Sequence, residues 1–79
     1  GSGTFVGNDV AIGDAALIGA NVSIGNAVEL EDQVRLGHNA VLFDGIELGR
    51  AVNVAPGAIV LQSVDAQQQV FGNPAQVAT

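Results

Sequence analysis

One histidine, no cysteine, and eight acidic against two basic residues leave this 79-residue chain few side chains that could do chemistry. His38 stands in the run Gly37-His38-Asn39-Ala40-Val41-Leu42. A neutral imidazole there could act as a general base, taking the proton from an attacking hydroxyl or amine. A catalytic zinc needs three protein ligands and one open position, and a chain with a single His and no Cys does not supply them. No phosphate loop, nucleophile elbow or Cys/His cluster is present. With Arg35 and Arg50 as the only bases, the net charge is −6, which argues against nucleic acid or an anionic membrane as partner.

The elements that must hold His38 are written in the period of the sequence. Ten hexads run from Val6 to Asp65, led by Val6, Ile12, Ile18, Ile24, Leu30, Leu36, Leu42, Leu48, Val54 and Val60. The fifth place is equally apolar, from Val10 and Ala16 through to Ala58 and Val64. Two apolar places in six match neither a helical stripe nor a simple alternating strand, but they do match a β-solenoid. Three hexads close one triangular turn, residue n stacks on n+18 at roughly 4.8 Å, and the repeat spells an all-β coil of about three turns. The second place is often Gly and the third Asn or Asp, residues that tolerate the positive φ a sharp corner needs, so Gly19 and Gly37 are expected to hold one.

This pattern resembles the hexapeptide-repeat superfamily, which includes acyltransferases and γ-class carbonic anhydrases. The resemblance implies a left-handed parallel β-helix. The C-terminal half, with its closing Gly72-Asn73-Pro74-Ala75, looks most like serine acetyltransferases and related O-acetyltransferases. Gly37–Leu42 is similar to the metal-binding stretch of γ-class carbonic anhydrases, but Phe43 stands where those enzymes carry a second His. Gly-His-Asn also resembles the motif of the N-acyltransferases of lipid A synthesis. What that implies is a trimer in which His38, at a cleft between subunits, serves attack on an acyl-coenzyme A. No cofactor is required for this, acyl-coenzyme A being a substrate. Full-length relatives also carry an N-terminal acceptor-binding portion. No carboxylate lies close to His38 in the chain to orient its ring, which leaves that role to Asp44 of the same chain or to Glu29, Asp32 or Glu47 of a neighbouring copy. The coil sets Ser2, Ser23 and Ser63 away from His38, so serine hydrolase chemistry is unsupported.

Residues 1–3 read as a cloning remnant, 4–65 as the coil and 66–79 as a closing segment. Neither a signal peptide nor a spanning apolar run is recognisable, so the cytoplasm is the expected setting. One outward column reads Phe5, Ser23, Val41, Ile59, and the neighbouring corner reads Gly7, Gly25, Phe43, Leu61. Val41, Phe43, Ile59 and Leu61 thus gather into an apolar patch expected to be the contact of a homotrimer, unless Val70 and Phe71 of the tail cover it. A second outward column, Ala11, Glu29, Glu47, Asp65, reads as a solvated acidic face. Two functions fit, a non-catalytic assembly module and an acyl-coenzyme A-dependent acetyltransferase using His38. Neither holds zinc, so elemental analysis of the purified chain should find no stoichiometric transition metal; one metal per chain would overturn the ligand argument.

Overall fold

In the computed structural model, residues 3–72 and 74–77 are described. Branched residues favour the extended backbone at each leading pair, giving β1 (Phe5–Val6), β2 (Ala11–Ile12), β3 (Leu17–Ile18), β4 (Ser23–Ile24), β5 (Glu29–Leu30) and β6 (Arg35–Leu36). The series continues with β7 (Val41–Leu42), β8 (Glu47–Leu48), β9 (Asn53–Val54), β10 (Ile59–Val60), β11 (Gln69–Phe71) and β12 (Gln76–Val77). They form three sheets in the orders β1-β4-β7-β10, β2-β5-β8 and β3-β6-β9-β11-β12. Up to Val60 every pairing is parallel with partners eighteen residues apart, as in Val6↔Ile24 and Leu36↔Val54. The result is a left-handed parallel β-helix of hexapeptide repeats.

First- and fifth-place side chains point inward, so Ile24, Leu42, Val60, Val22, Val34 and Val52 are among those that fill the core. The sixth-place residues face out. At the N-terminal end the core is open, with Val6 45% exposed against 1% for Ile24 one rung on. Burying an aliphatic side chain of this size is worth roughly 1.5 to 3 kcal/mol, so the inner rungs carry most of the stability.

The coil has about four rungs rather than the three and a third that unbroken hexads give, because the repeat changes step near its end. Leu48 pairs with Val64 and Val54 with Val70, each sixteen residues on. Val60–Ser63 is therefore a four-residue step, and Val64 takes a first place instead of the fifth. Two consequences differ from the sequence reading. Ser63, not Asp65, stands over Glu47, and its Oγ accepts the Glu47 N–H at 2.9 Å, so the acidic column ends at Glu29 and Glu47. The segment expected to begin closure at 66 instead continues the coil as β11, and only β12 runs antiparallel, with Phe71 opposite Gln76. At the other end Gly3, with φ 72°, occupies the corner place that Asn21 holds one rung on, so it belongs to the coil; Gly1 and Ser2 lie outside the described residues.

The corners correct a further expectation. Positive φ falls on the fourth place of the hexad, not the second: Asp9, Ala15, Asn21, Ala27, Gln33, Asn39, Gly45, Ala51, Gly57 and Gln67 all lie between 56° and 75°. Gly37 is required for a different reason. A Cβ there would sit 2.5 Å from the backbone N of Pro56 and 2.8 Å from its Cα, on the rung above. Close approach, rather than backbone freedom, selects glycine at the second place. Gly37→Ala should therefore cost about 1 to 3 kcal/mol by overpacking against a backbone that cannot give way. Ala27→Gly should stabilise by about 0.5 to 1 kcal/mol, since relief of left-handed strain exceeds the added entropy of the unfolded glycine. Thermal melts check both signs, and a lower melting temperature for Ala27→Gly would show that the corner is not strained.

Candidate functional site

His38 sits in the third place of its hexad, exposed at the corner that follows β6 and leads into β7. Its neighbours along the coil axis are Ala20 below and Pro56 above, as the eighteen-residue stack requires. The imidazole Nδ1 accepts the Ala20 N–H at 2.7 Å, and the His38 carbonyl accepts the Gly57 N–H at 2.9 Å. An acceptor Nδ1 leaves the neutral ring's proton on Nε2. In this state the outward nitrogen is a hydrogen-bond donor, whereas a general base must present a lone pair there.

The same bond recurs at other corners with other side chains. Asn8 N–H donates to Asn26 Oδ1 at 2.7 Å, Asp14 N–H to Asp32 Oδ1 at 2.8 Å, and Asn26 N–H to Asp44 Oδ1 at 2.7 Å. Each satisfies a corner N–H that the sheet ladders do not reach. His38 therefore occupies a rung-bonding position otherwise filled by Asn or Asp. The glycine below each acceptor makes the room: Gly7, Gly13, Gly19 and Gly25 lie under Asn26, Asp32, His38 and Asp44, and a Cβ on Gly19 would meet His38 Nδ1 at 2.9 Å. Composition and hexad alignment do not show this ladder. A Gly followed nineteen residues later by Asn, Asp or His is the signal that would have found it.

Asp44 is at the corner after β7, one sheet away from His38, and its Oδ1 is engaged by Asn26. It does not orient the imidazole within the chain. Among the described residues no group of three or more His, Cys, Asp and Glu side chains converges. A shallow groove of about 720 Å³ runs over the face of β3, β6, β9 and β11 without touching His38.

The four patch residues come together as their columns predict. Val41 pairs with Ile59 on the outer face of β7 and β10, both partly buried, while Phe43 (52% exposed) and Leu61 (47% exposed) project from the adjoining corner. Among the described residues the tail leaves Phe43 and Leu61 about half exposed. Val70 is buried as the rung above Val54, and Phe71 is itself exposed. The returning chain meets the patch at Ile59, where Ala75 N–H donates to the Ile59 carbonyl at 2.8 Å and Ile59 N–H to that of Gly72 at 3.0 Å. Leu61 lines one surface pocket with Pro74, Ala75 and Val77.

No protein-family model matches the sequence, and no curated protein sequence does. Solved structures match throughout. A mutant perosamine N-acetyltransferase from Caulobacter crescentus, in complex with coenzyme A and GDP-perosamine, superposes with a TM-score of 0.98 at 24% identity, over 100% of this chain and 38% of that one. A mutant of AntD, an N-acyltransferase from Bacillus cereus in complex with dTDP-4-amino-4,6-dideoxyglucose and coenzyme A, gives 0.80 at 16% identity, over 96% and 59%. Serine acetyltransferase from Brucella abortus gives 0.63 at 22%, over 95% and 39%. At these identities the likeness establishes a shared fold, the hexapeptide-repeat β-helix. The chain spans between 38% and 59% of the length of these three proteins.

The ladder role of His38 separates two substitutions. His38→Asn should leave the melting temperature unchanged, because an Asn Oδ1 can accept the Ala20 N–H as Asn26 accepts that of Asn8. His38→Ala leaves the N–H to water and should cost about 1 kcal/mol, the usual worth of one hydrogen bond. Equal destabilisation by both would show that the imidazole does something an amide cannot.

Proposed function

We propose that this chain is an assembly module built on the β-helix of bacterial acyltransferases: a homotrimer joined through Val41, Phe43, Ile59 and Leu61, with little or no turnover of its own as the 79-residue unit. The observation that carries the non-catalytic part is the Ala20 N–H to His38 Nδ1 bond, which spends the imidazole on holding two rungs together. The assembly part rests on the exposed Phe43 and Leu61, which one small aliphatic core leaves facing water. The acidic balance keeps nucleic acid and anionic membranes off the list of partners, and the cytoplasm is its setting.

A second reading is acyl-coenzyme A-dependent acetyl transfer with His38 as general base at the subunit cleft. In its favour, the superposed Caulobacter crescentus and Bacillus cereus enzymes have coenzyme A in their complexes, and the His38 corner opens directly onto the Val41 face. Catalysis on that reading needs the other tautomer, so the ring must first give up the Ala20 N–H. Binding of a neighbouring subunit's carboxylate to a protonated Nδ1 would stabilise that state.

Sedimentation velocity at micromolar concentration should find a trimer, and Phe43→Glu should shift the chain to monomer by burying a charge in the contact. A monodisperse monomer for the parent chain refutes the assembly proposal. Acetyl-coenzyme A with small hydroxyl and amine acceptors should give no turnover above the blank. Turnover that His38→Asn abolishes, with the fold intact, establishes the enzyme instead.

A further inference from the structure

The groove over β3, β6, β9 and β11 is built by an alternation of side-chain length along the coil. One rung presents Gln33 and Arg35, the next Ala51 and Asn53, and the last Gln67 and Gln69. Arg35 pairs in register with Asn53, and Asn53 with Gln69, so the short rung lies directly between two long ones. Consecutive rungs are about 4.8 Å apart, which sets the long side chains roughly 10 Å from one another across the gap. The groove, about 720 Å³ in volume, continues past Gln33 and Arg35 over a further short rung of Ala15 and Leu17.

Its lining is unlike the rest of the surface. The chain carries eight acids, yet no carboxylate lines the groove, and one of its two bases does. The Arg35 guanidinium offers five donors in a planar fork and no acceptor, and the fork matches a carboxylate in two parallel hydrogen bonds. The carboxamides facing it from the short rung and the far wall each both donate and accept, which suits hydroxyl groups. One positive charge balances one negative charge, and the −6 net charge disfavours anything more highly charged.

We infer that this groove is a binding site for a small hydroxylated carboxylate of the sugar-acid class, its carboxylate on Arg35 and its hydroxyls on Asn53, Gln67 and Gln69. The site is independent of His38 and of the apolar patch. Being open on one side, it binds in the millimolar range and exchanges fast.

The test is a titration of the isotopically labelled full chain, followed through the side-chain NH2 signals of Gln33, Asn53, Gln67 and Gln69 and the Arg35 Nε–H. Gluconate is the probe; glucose and inorganic phosphate are the controls. Gluconate should give saturable shifts confined to these groups, and glucose should give none. Arg35→Gln should weaken gluconate at least about tenfold, as expected when a charge-assisted pair is lost. Ala51→Gln should abolish binding by filling the short rung while keeping Arg35. It is compatible with the corner, because Gln33 and Gln67 hold the same place at φ 64° and 63°. The proposal is overturned if gluconate shifts do not saturate or persist undiminished in Arg35→Gln. Phosphate saturating the same signals more tightly than gluconate would overturn it too, since the anion would then be the wrong one.

Discussion

A backbone that comes back to the same point every eighteen residues must satisfy its hydrogen bonds almost entirely on the rung above and the rung below. Strand N–H groups donate upward, as from Phe5 to Val22 O and from Gly7 to Ile24 O, and fourth-place N–H groups donate downward, as from Asn39 to Ala20 O. Strands of two residues are far too short to stand alone. Only the stack makes them strands. Each inward side chain is consequently held against its homologues eighteen residues away, and the core is a set of aliphatic columns rather than a cluster gathered from distant elements.

That stacking explains why the corners are so restricted. Rungs approach closely enough that a second-place side chain bent inward would strike backbone, while the fourth place must turn through positive φ whatever residue occupies it. Three alanines, two glutamines, two asparagines and one aspartate accept that conformation here. Their strain is spread along the coil and offset by the rung bonds on either side, including the side-chain ladder of Asn26, Asp32, His38 and Asp44. His38 belongs to this arrangement first, and any chemistry asked of it begins from a ring already committed at Nδ1.

Because a triangular coil has three outer faces and each is one vertical column wide, surface character segregates by face. One is apolar at Val41 and Ile59, with Phe43 and Leu61 on its corner; one carries Glu47 over Glu29; one carries Arg35 among amides. Neighbouring like charges on the acidic face repel by about 1 kcal/mol in water, which salt screens, and the face gains from facing solvent. An apolar face, an acidic face and an amide face on one rod place the proposed assembly contact and the proposed ligand groove on separate surfaces.

Most of the fold was legible in the sequence because a repeat fixes position modulo its period: the place of each residue in its hexad decides whether it points in, out or round a corner. The inward columns, the location of His38 beside Ala20 and Pro56, and the convergence of Val41, Phe43, Ile59 and Leu61 all follow from counting. Tertiary structure decided what counting cannot resolve. Val64 is apolar and fits either a fifth or a first place, and the choice falls to the first only because Val70, six residues later, then caps Val54. The glycines at the second place could serve φ or clearance, and only the distance to the rung above shows that it is clearance. His38 could be base or ladder, a matter of which ring nitrogen meets the Ala20 N–H, and that contact exists only once two rungs, eighteen residues apart in the chain, are stacked.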